Sequence, residues 1–347
     1  MNFADYLKQK LPAVEAEIMR GLPVASTSPA NASSERTYAD LNTYLYQPLA
    51  HFSAGGGKRV RPVLCCLGAE VVGGSAEAAL PVACAIEDFQ SAALIHDDIA
   101  DKSELRRGEK CLYKTLGTGL AINVGDSALV NVVRRITVAD HLSDQIKVRV
   151  IDALLSMEEH TLEGQALDLG WARYERWDVT SDQYLFMALS KTAYYSAAYP
   201  LVLGALIGGA DQKTLDALKD FGLKVGLAFQ LQDDLLNLVG NAEVQGKDFR
   251  SDITEGKRTL AVVYALEHLG SADKAELVSI LSAHTTNTLR LQYAVELMES
   301  VNAIKFVRTH ALALVEKAKL VLKNVILTED ARDTLLSMAD FFVNRER

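Results

Sequence analysis

Apolar residues recur at helical spacing through most of the chain. The segment from Thr214 to Leu238 shows this well, because its apolar positions follow one another at intervals of three and four: Leu215, Leu218, Phe221, Val225 and Ala228, with Phe229 widening the same face. The run from Ala78 to Asp101 is also compatible with a helix, and Pro81 falls in its first turn, where proline is tolerated. The alternation typical of strands is scarce. The pattern therefore predicts an all-α helical bundle.

Breaks between the predicted helices fall at glycine pairs and triplets and in one longer segment. All seven prolines lie at or before residue 200, which suits long helices in the rest of the chain. Gly21 to Ser34 is rich in Pro, Ser, Ala and Asn and is predicted to be a loop. A chain of 347 residues permits two domains, but no change of composition marks a boundary. We expect one all-helical domain over residues 1–347.

Neither the N-terminus nor the longest uncharged run predicts a membrane anchor. Residues 1–21 carry acidic groups and lack the continuous apolar core of a signal peptide. The run from Thr192 to Ala210 is long enough to cross a bilayer, but Ser196, Pro200 and three tyrosines favour a buried core helix. We expect a cytoplasmic protein without a transmembrane segment.

Net charge and cysteine spacing exclude further classes. A formal charge of −9 argues against nucleic acid as a partner, since phosphate backbones attract basic surfaces. The four cysteines, Cys65, Cys66, Cys84 and Cys111, lack metal-ligand spacing and are predicted to be small buried residues in a reducing compartment. An acidic protein that handles anionic substrates must concentrate its cations locally or recruit metal ions.

Two acidic clusters each follow an apolar helical run. In the first, Asp97 and Asp101 are four residues apart and share one helix face, where two unpaired carboxylates repel each other. In the second, Asp233 and Asn237 repeat this spacing, with Asp234 between them. Mg²⁺ binds a few carboxylate oxygens together with waters and substrate phosphates. Either cluster alone also fits a solvated helix end, but together they favour two facing helices that hold one diphosphate through bridging metals.

Basic residues occur at predicted loop positions near these clusters. The set is Lys58, Arg59 and Arg61 after the Gly55–Gly57 turn, Arg106 and Arg107 after the first cluster, Lys191 before a helical run, and Lys247 and Lys257 after the second cluster. Glycine lets backbone amides approach an anion closely. Each cation alone fits a solvated surface residue, whereas the set together predicts diphosphate binding.

The motifs GGGKRVRP, LIHDDIADKSELRRG, EGQALDLG, KTAYYSAA, FQLQDDLLN and GKDFRSDITEGKRT resemble, in their order, those of the trans-polyprenyl diphosphate synthase family. The resemblance runs from about Gly55 to Lys257. It implies an all-α fold of the isoprenoid synthase type with a central active-site cavity, Mg²⁺ as cofactor and a homodimer.

The same resemblance implies roles for individual residues. The metal ligands would be Asp97, Asp101 and Asp233. The diphosphate of isopentenyl diphosphate would be bound by Lys58, Arg61 and Arg107, and that of the allylic substrate by Arg106, Lys191 and Lys257, with Lys247 as a further contact. Thr192 and Gln230 would line the reaction centre, and they join the metal ligands and Lys191 in the catalytic set. Gln165 and Asp168 match a family segment that faces the first metal helix.

Two positions depart from the family pattern. Gln90 lies seven residues before Asp97, where many members have histidine, and it can still donate a hydrogen bond to a diphosphate. Asn237 replaces the usual last aspartate of the second motif and would offer the metal a neutral carbonyl oxygen in place of a carboxylate.

The expected reaction joins isopentenyl diphosphate to an allylic diphosphate and yields a linear prenyl diphosphate. Ala92 and Ala93 are small where relatives with shorter products often have an aromatic residue, and Phe89 is the first large side chain further down the helix. We therefore expect a product longer than fifteen carbons, with twenty to twenty-five favoured. The alternative that Phe89 only packs in the core remains open.

Two other functions share parts of this pattern. A class I terpene cyclase uses the same ionisation chemistry, but it does not need the second diphosphate site that Lys58, Arg61 and Arg107 predict. A non-catalytic regulatory subunit of a heteromeric synthase usually has one degraded acidic motif, and Asn237 is a slight degradation.

Overall fold

The computed structural model describes residues 1–25, 35–240 and 249–345, and helices dominate them. The first helices are α1 (Phe3–Arg20), α2 (Glu35–Leu41), the π-helix π1 (Asn42–Tyr46), α3 (Gln47–Ala54), α4 (Val60–Val71) and α5 (Ala76–Ala100). A short hairpin of β1 (Leu105–Arg106) and β2 (Glu109–Lys110) precedes α6 (Leu112–Leu116), α7 (Thr118–Thr137) and α8 (Asp144–Arg173).

Further helices follow in the second half of the chain. They are α9 (Ser181–Ala188), π2 (Leu189–Ala198), α10 (Tyr199–Ile207), α11 (Gln212–Val239), α12 (Ser251–Thr254), α13 (Leu260–His268), α14 (Ser271–Ser282), α15 (Thr288–Ser300), α16 (Ala303–Val321), a 3₁₀ turn (Leu322–Asn324) and α17 (Glu329–Asn344). The hairpin is the only β-structure in the described ranges. The all-α prediction is confirmed.

The chain divides into two compact units. The first unit comprises Asp5–Leu154 and Pro200–Ala210, and the second comprises Met1–Ala4, Leu155–Tyr199 and Asp211–Arg347. The sequence marks no boundary between them because helix α8 runs through the division without a break. That residues 1–347 form one domain stays a prediction.

Helix α5 is the central element of the first unit and packs against α4 and α7. Ser75 caps its N-terminus, because its Oγ accepts hydrogen bonds from the backbone N–H groups of Glu77 and Ala78. The helix therefore begins two residues earlier than predicted, and Pro81 lies in its second turn rather than its first. Among the described residues this is the one helix long and apolar enough to cross a membrane, and 78% of its apolar window is buried within the protein. Such burial is that of a core helix.

Helices α4 and α10 pack closely in the first unit through glycine. A Cβ atom added to Gly204 would lie 1.8 Å from the carbonyl oxygen of Cys65, and one added to Gly68 would lie 2.3 Å from that of Leu201. Real Cβ atoms do not approach a carbonyl oxygen so closely, so both contacts require glycine. The four cysteines are free and buried, as predicted.

Helix α11 is the central element of the second unit and packs against π2, α16 and α17. The Asp211 carboxylate caps it by accepting a 2.8 Å hydrogen bond from the backbone N–H of Thr214. Its bounds, Gln212–Val239, confirm the helix predicted from Thr214 to Leu238. The apolar residues of the predicted stripe, Leu215, Leu218, Phe221, Val225 and Ala228, are all buried.

The uncharged run from Thr192 to Ala210 is a largely buried helix, as predicted. Helices α9, π2 and α10 follow one another without an intervening turn, and the backbone N–H of Tyr199 donates to the carbonyl of Tyr194, five residues earlier. Pro200 does not end this helix: it is the second residue of α10, where proline is tolerated, directly after the π-helical segment. Of the predicted loop Gly21–Ser34, residues 26–34 lie outside the described ranges, and residues 21–25 are in a turn and irregular backbone.

Replacing Gly204 with alanine should lower the free energy of unfolding by about 1–3 kcal/mol, because the new methyl group meets backbone that cannot move aside. Gly119→Ala is the matched control, since an added Cβ there meets nothing within 4 Å. Urea denaturation followed by circular dichroism measures both variants. Equal stability of the two variants would contradict the close packing of α4 on α10.

Candidate active site

The acidic cluster of the first unit lies at the C-terminal end of α5. Asp97 and Asp98 are in the last turn, and Asp101 is the C-cap, whose backbone N–H donates to the carbonyl of Asp97 at 2.8 Å. A helix end carries partial negative charge, so three carboxylates there raise the energy of the folded state. Cations must offset this repulsion.

Adjacent aspartates of this cluster take different directions. Asp98 is buried, and its Oδ1 accepts hydrogen bonds from Nε and Nη2 of Arg106 at 2.9 and 2.5 Å. Asp97 is partly exposed and Asp101 is exposed. The buried aspartate is therefore neutralised within the protein, while the outer pair has the spacing predicted for metal binding.

The β-hairpin brings Arg106 back to this helix end. Its two-residue turn, Arg107 and Gly108, has positive φ at both positions (55° and 85°), as the tight turns of hairpins require. The strands pair in antiparallel register, with Arg106 opposite Glu109. Asp98 then fixes Arg106, and the hydrogen bonds and charge of that carboxylate raise the pKa of the guanidinium although its burial opposes this.

The glycine loop of the first unit lies beside Arg107. A Cβ atom added to Gly57 would come within 3.2 Å of Arg107 Nη2, so the bare glycine makes room for the guanidinium. Arg59 points inward and pairs with Glu87 at 2.7 Å, whereas Lys58 is exposed and Arg61 half-buried. The loop and Arg107 are thus neighbours, as the isopentenyl diphosphate assignment requires.

A cavity of about 190 Å³ opens beside these arginines. Its lining residues belong to the first unit: His51, Phe52, Gly55, Arg106, Arg107, Glu109, Lys110, Cys111, Leu112 and Thr115.

Gln90 is buried on α5, and its Oε1 has no hydrogen-bond partner within the described part of the chain.

The three residues predicted to set product length lie on α5, and the structure separates them. Ala92 belongs to a buried cluster with Ile95, Val124 and other apolar side chains, so it faces the core and not an open channel. Ala93 is partly exposed, one helical turn after the buried Phe89. Ala92 and Ala93 lie three and four residues after Phe89 and both adjoin its helix face, but of the two only Ala93 is partly exposed.

The second unit contains a cavity of about 230 Å³. Five of the predicted residues line it, namely Lys191, Thr192, Gln230, Asp233 and Lys257. Its other lining residues are Asp168, Tyr184, Met187, Ala188, Asp234, Asn237, Asp252, Arg258 and Thr259. The structure therefore brings together the second-motif residues and Lys191 in one polar cavity. Lys247 lies outside the described residues.

Lys191 and Thr192 lie within π2, not in the loop predicted before a helix. The sequence around them has no helix breaker, so the chain stays helical and widens by a π turn, a feature frequent at functional sites. Gly164 allows the close approach of α8, because a Cβ there would lie 2.2 Å from the backbone nitrogen of Lys191. One turn further along α8, Asp168 accepts a 2.5 Å hydrogen bond from Lys191 Nζ.

A chain of hydrogen bonds fixes the polar groups at the wall of this cavity. The Thr192 hydroxyl donates to Gln230 Oε1 at 2.7 Å, and Gln230 Nε2 donates to Asp234 Oδ1 at 2.7 Å. The buried Tyr184 hydroxyl donates to the other oxygen of Asp234. Because the Thr192 proton is engaged, its oxygen lone pairs remain available as acceptors, which suits a site where positive charge develops.

Asp233 and Asp234 repeat the division seen in the first unit. Asp234 is buried, and burial together with the nearby charge of Asp252 raises its pKa to about 8. The Asp233 side chain is 56% exposed and pairs with Arg345 Nη2 at 2.6 Å. Arg345 is held in place by the ring of Phe229, 4.0 Å from its guanidinium. In the structure a protein cation therefore pairs with the predicted metal ligand Asp233.

Asn237 is engaged differently from the prediction. Its Nδ2 donates to Ser251 Oγ at 3.0 Å, and its Oδ1 accepts from the backbone N–H of Asp252 at 3.2 Å. The side-chain carbonyl that was expected to face a metal thus fastens α12 to the end of α11. This contact places the Asp252 carboxylate 3.5 Å from Lys257 Nζ.

Lys257 lies between two carboxylates. Its Nζ is 2.7 Å from Glu255 and 3.5 Å from Asp252. Burial disfavours its charge, but the two carboxylates raise its pKa, so it is protonated at neutral pH. Two further residues of this cavity, Tyr184 and Asp252, had no predicted role. Asp252 lies within the quoted GKDFRSDITEGKRT motif, whereas no sequence pattern singles out Tyr184.

The donor set fits Mg²⁺ bound partly through substrate. Within the described ranges, no three His, Cys, Asp or Glu side chains form a group that could hold a metal by themselves. Mg²⁺ usually keeps several waters and binds one or two carboxylates together with substrate phosphates. Each unit has carboxylates of the kind that such a metal uses, namely Asp97 and Asp101 in the first and Asp233 in the second.

Known proteins provide the comparison for these sites. The family model described as polyprenyl synthetase matches residues 42–298. The chain is 40% identical over 299 residues to a short chain isoprenyl diphosphate synthase of Methanothermobacter thermautotrophicus, covering 85% of this chain and 89% of that protein. It is 30% identical over 346 residues to a geranylgeranyl diphosphate synthase of Methanosarcina mazei, covering 100% of this chain and 99% of the relative.

A solved structure agrees with these relatives. The crystal structure of geranylgeranyl pyrophosphate synthase from Corynebacterium glutamicum, complexed with isoprenyl diphosphate and magnesium, superposes with a TM-score of 0.86 at 26% identity. The superposition covers 99% of this chain and 100% of the Corynebacterium glutamicum chain. From the family match and the length of these alignments, this chain belongs to the polyprenyl synthetase family and is a prenyltransferase.

Proposed function

We propose that the protein condenses isopentenyl diphosphate head-to-tail with an allylic diphosphate, with Mg²⁺ as cofactor, and releases a linear prenyl diphosphate longer than fifteen carbons. The observation that carries the proposal is the polar cavity of the second unit. It combines two cations, Lys191 and Lys257, with the exposed carboxylate of Asp233 and the acceptor oxygen of Thr192. These are the groups needed to bind a diphosphate and to favour positive charge on the carbon that it leaves.

The allylic diphosphate would bind to Lys191 and Lys257, whose ammonium groups neutralise charge on the departing group. Asp97, Asp101 and Asp233 would hold Mg²⁺, which supplies electrostatic stabilisation of the diphosphate as its bond to carbon breaks. Thr192 and Gln230 would orient lone pairs toward the allylic carbon. The isopentenyl double bond then forms the new carbon–carbon bond, and a proton leaves to a base, for which the released diphosphate is the candidate.

The second diphosphate would bind in the first unit. Lys58 and Arg61 follow the glycine loop in sequence, Arg107 lies beside it in space, and Gln90 is buried on α5. This set favours elongation over a class I terpene cyclase, which needs one diphosphate site. Arg106, which was assigned to the allylic diphosphate, keeps that proposed role, with its Nε and Nη2 already oriented by Asp98.

The hydrogen bonds of Asn237 favour a catalytic protein over a regulatory subunit. In the structure this residue fastens α12, and Asp252 with it, beside Lys257. The replacement of the usual aspartate therefore leaves an organised site. We also propose that the protein is a cytoplasmic homodimer, as the resemblance implies.

Product length is proposed from α5. One helical turn rises about 5.4 Å, close to one extended isoprene unit. Ala93 leaves the turn before Asp97 open, and the buried Phe89 would form the floor one turn earlier. This arrangement supports a product of twenty to twenty-five carbons.

Asp97→Ala and Asp233→Ala should each lower turnover by about a hundredfold or more while the helical fold persists, because each removes a carboxylate that would hold Mg²⁺. Product formation is measured with and without EDTA, and circular dichroism monitors the fold. Asp216→Ala is the matched control, since that aspartate is exposed on the same helix as Asp233. Full activity in EDTA would refute the metal assignment.

Arg61→Ala should raise the KM for isopentenyl diphosphate by roughly ten- to a hundredfold, because a charge-assisted contact to phosphate is lost. The KM for the allylic substrate should change little. Lys191→Met is the counterpart and should act mainly on the allylic constant. Steady-state kinetics with each substrate varied in turn tests both. If Arg61→Ala raised both KM values equally, the assignment of this loop to isopentenyl diphosphate would be wrong.

Ala93→Phe should shorten the product and Phe89→Ala should lengthen it, because the first fills and the second opens the proposed channel along α5. Ala93→Leu adds a smaller group and should shorten the product less. Mass spectrometry of the extracted prenyl chains measures the distribution. An active Ala93→Phe variant with unchanged products would show that α5 does not set the length.

A further inference from the structure

The second unit contains another polar cavity, of about 200 Å³, that the proposed reaction does not use. It is lined by Ala172, Arg173, Glu175, Trp177, Gly256, Arg258, Ser282 and His284. Water occupies about 30 Å³ per molecule in the liquid, so the space accommodates a tetrahedral oxyanion together with several waters.

The guanidinium of Arg258 is the charged group of this cavity. Its Nε donates to the carbonyl of Arg176 at 3.0 Å, and its Nη1 donates to the carbonyl of Gly256 at 2.7 Å. The ring of Trp177 lies 3.8 Å from its carbon Cζ. Arg258 lines both this cavity and the candidate active site, whereas its neighbours Trp177 and Gly256 line only this cavity.

Arg258 carries an unusual combination of burial and charge. The residue is only 4% exposed, and no carboxylate lies within 4 Å of its guanidinium among the residues that the structure describes. Its Nη2 is buried and has no hydrogen-bond partner among those residues. Burial of a cation with no counter-ion within 4 Å costs considerable free energy, which the more distant carboxylates of Asp168 and Glu175 offset only in part. An anion in the adjoining cavity would supply both the missing charge and the missing acceptor.

The rest of the cavity lining suits such an anion. Arg173 and His284 add two basic side chains, and Ser282 adds a hydroxyl donor, against the single carboxylate of Glu175. Arginine binds phosphate oxygens through a planar fork of N–H donors, of which Nη2 is the one still available here. We infer that this cavity is a second anion site, which binds a small oxyanion of the phosphate class through Nη2 of Arg258.

Fluorescence of Trp177 provides a direct test. The chain has two tryptophans, so Trp171→Phe leaves Trp177, which stacks on Arg258, as the only reporter. Titration with inorganic phosphate, without divalent metal and at constant ionic strength, should give a saturable change in the millimolar range. Equilibrium dialysis of labelled phosphate with the unmodified protein checks the result. Because the proposed diphosphate sites would also bind phosphate, the dialysis result is taken as the difference between the parent and the Arg258→Met variant.

Variants connect the binding to Arg258. Arg258→Met should weaken phosphate binding roughly tenfold or more, since a charged fork is lost. Arg258→Lys and Arg173→Met each keep a cation at position 258, so they should weaken phosphate binding only several-fold. Arg308→Met, on the exposed side of α16, should bind phosphate like the parent.

Circular dichroism and the thermal midpoint identify any variant that does not fold. If Arg258→Met does not fold, the phosphate affinities of Arg258→Lys and Arg173→Met test the proposal instead. The proposal is overturned if phosphate produces no saturable change, which would mean that water alone fills the cavity. It is also overturned if the folded Arg258 and Arg173 variants bind phosphate as tightly as the parent.

Discussion

Both candidate sites depend on the repulsion between adjacent aspartate carboxylates near the end of a buried helix. In both α5 and α11 the second aspartate of the pair turns into the protein, and the first stays at the surface. Asp98 is neutralised by Arg106, and Asp234 accepts hydrogen bonds from Tyr184 and Gln230. The inner carboxylates thereby organise protein groups, while the outer ones stay accessible to cations.

The pairing of Asp233 with Arg345 illustrates this accessibility. The last helix, α17, ends next to Arg345, whose guanidinium contacts both the Asp233 carboxylate and the Phe229 ring. Gln232 adds a hydrogen bond to the backbone carbonyl of Arg345 at 3.1 Å. Because the Asp233 carboxylate is more than half exposed, solvent screens its attraction to the largely buried Arg345. A bound metal with diphosphate would interact with it far more strongly.

Helical periodicity and charge spacing predicted much of this structure. The bounds of α5 and α11, the burial of the cysteines and the grouping of Lys191, Thr192, Gln230, Asp233 and Lys257 follow from local patterns and motif order. What spacing alone did not predict was the partner of each polar group. Asn237 binds α12, and Ala92 faces a core cluster, because these contacts come from segments distant in sequence or from other helices. Tyr184 was missed because the acceptor of its hydroxyl hydrogen bond, Asp234, is fifty residues away.

The π-helical segment Leu189–Ala198 determines the directions of the side chains in this part of the chain. A π turn contains roughly one residue more than an α turn, so side chains after it are rotated relative to those before it. Removing one residue from this segment would restore a regular α-helix and turn one part of it away from its present neighbours. Deleting one residue here should therefore lower activity far more than substituting one, even when the deleted residue is uncharged. Lys191 is the one charged residue of the segment. The length of this segment is itself a determinant of which side chains face the cavity.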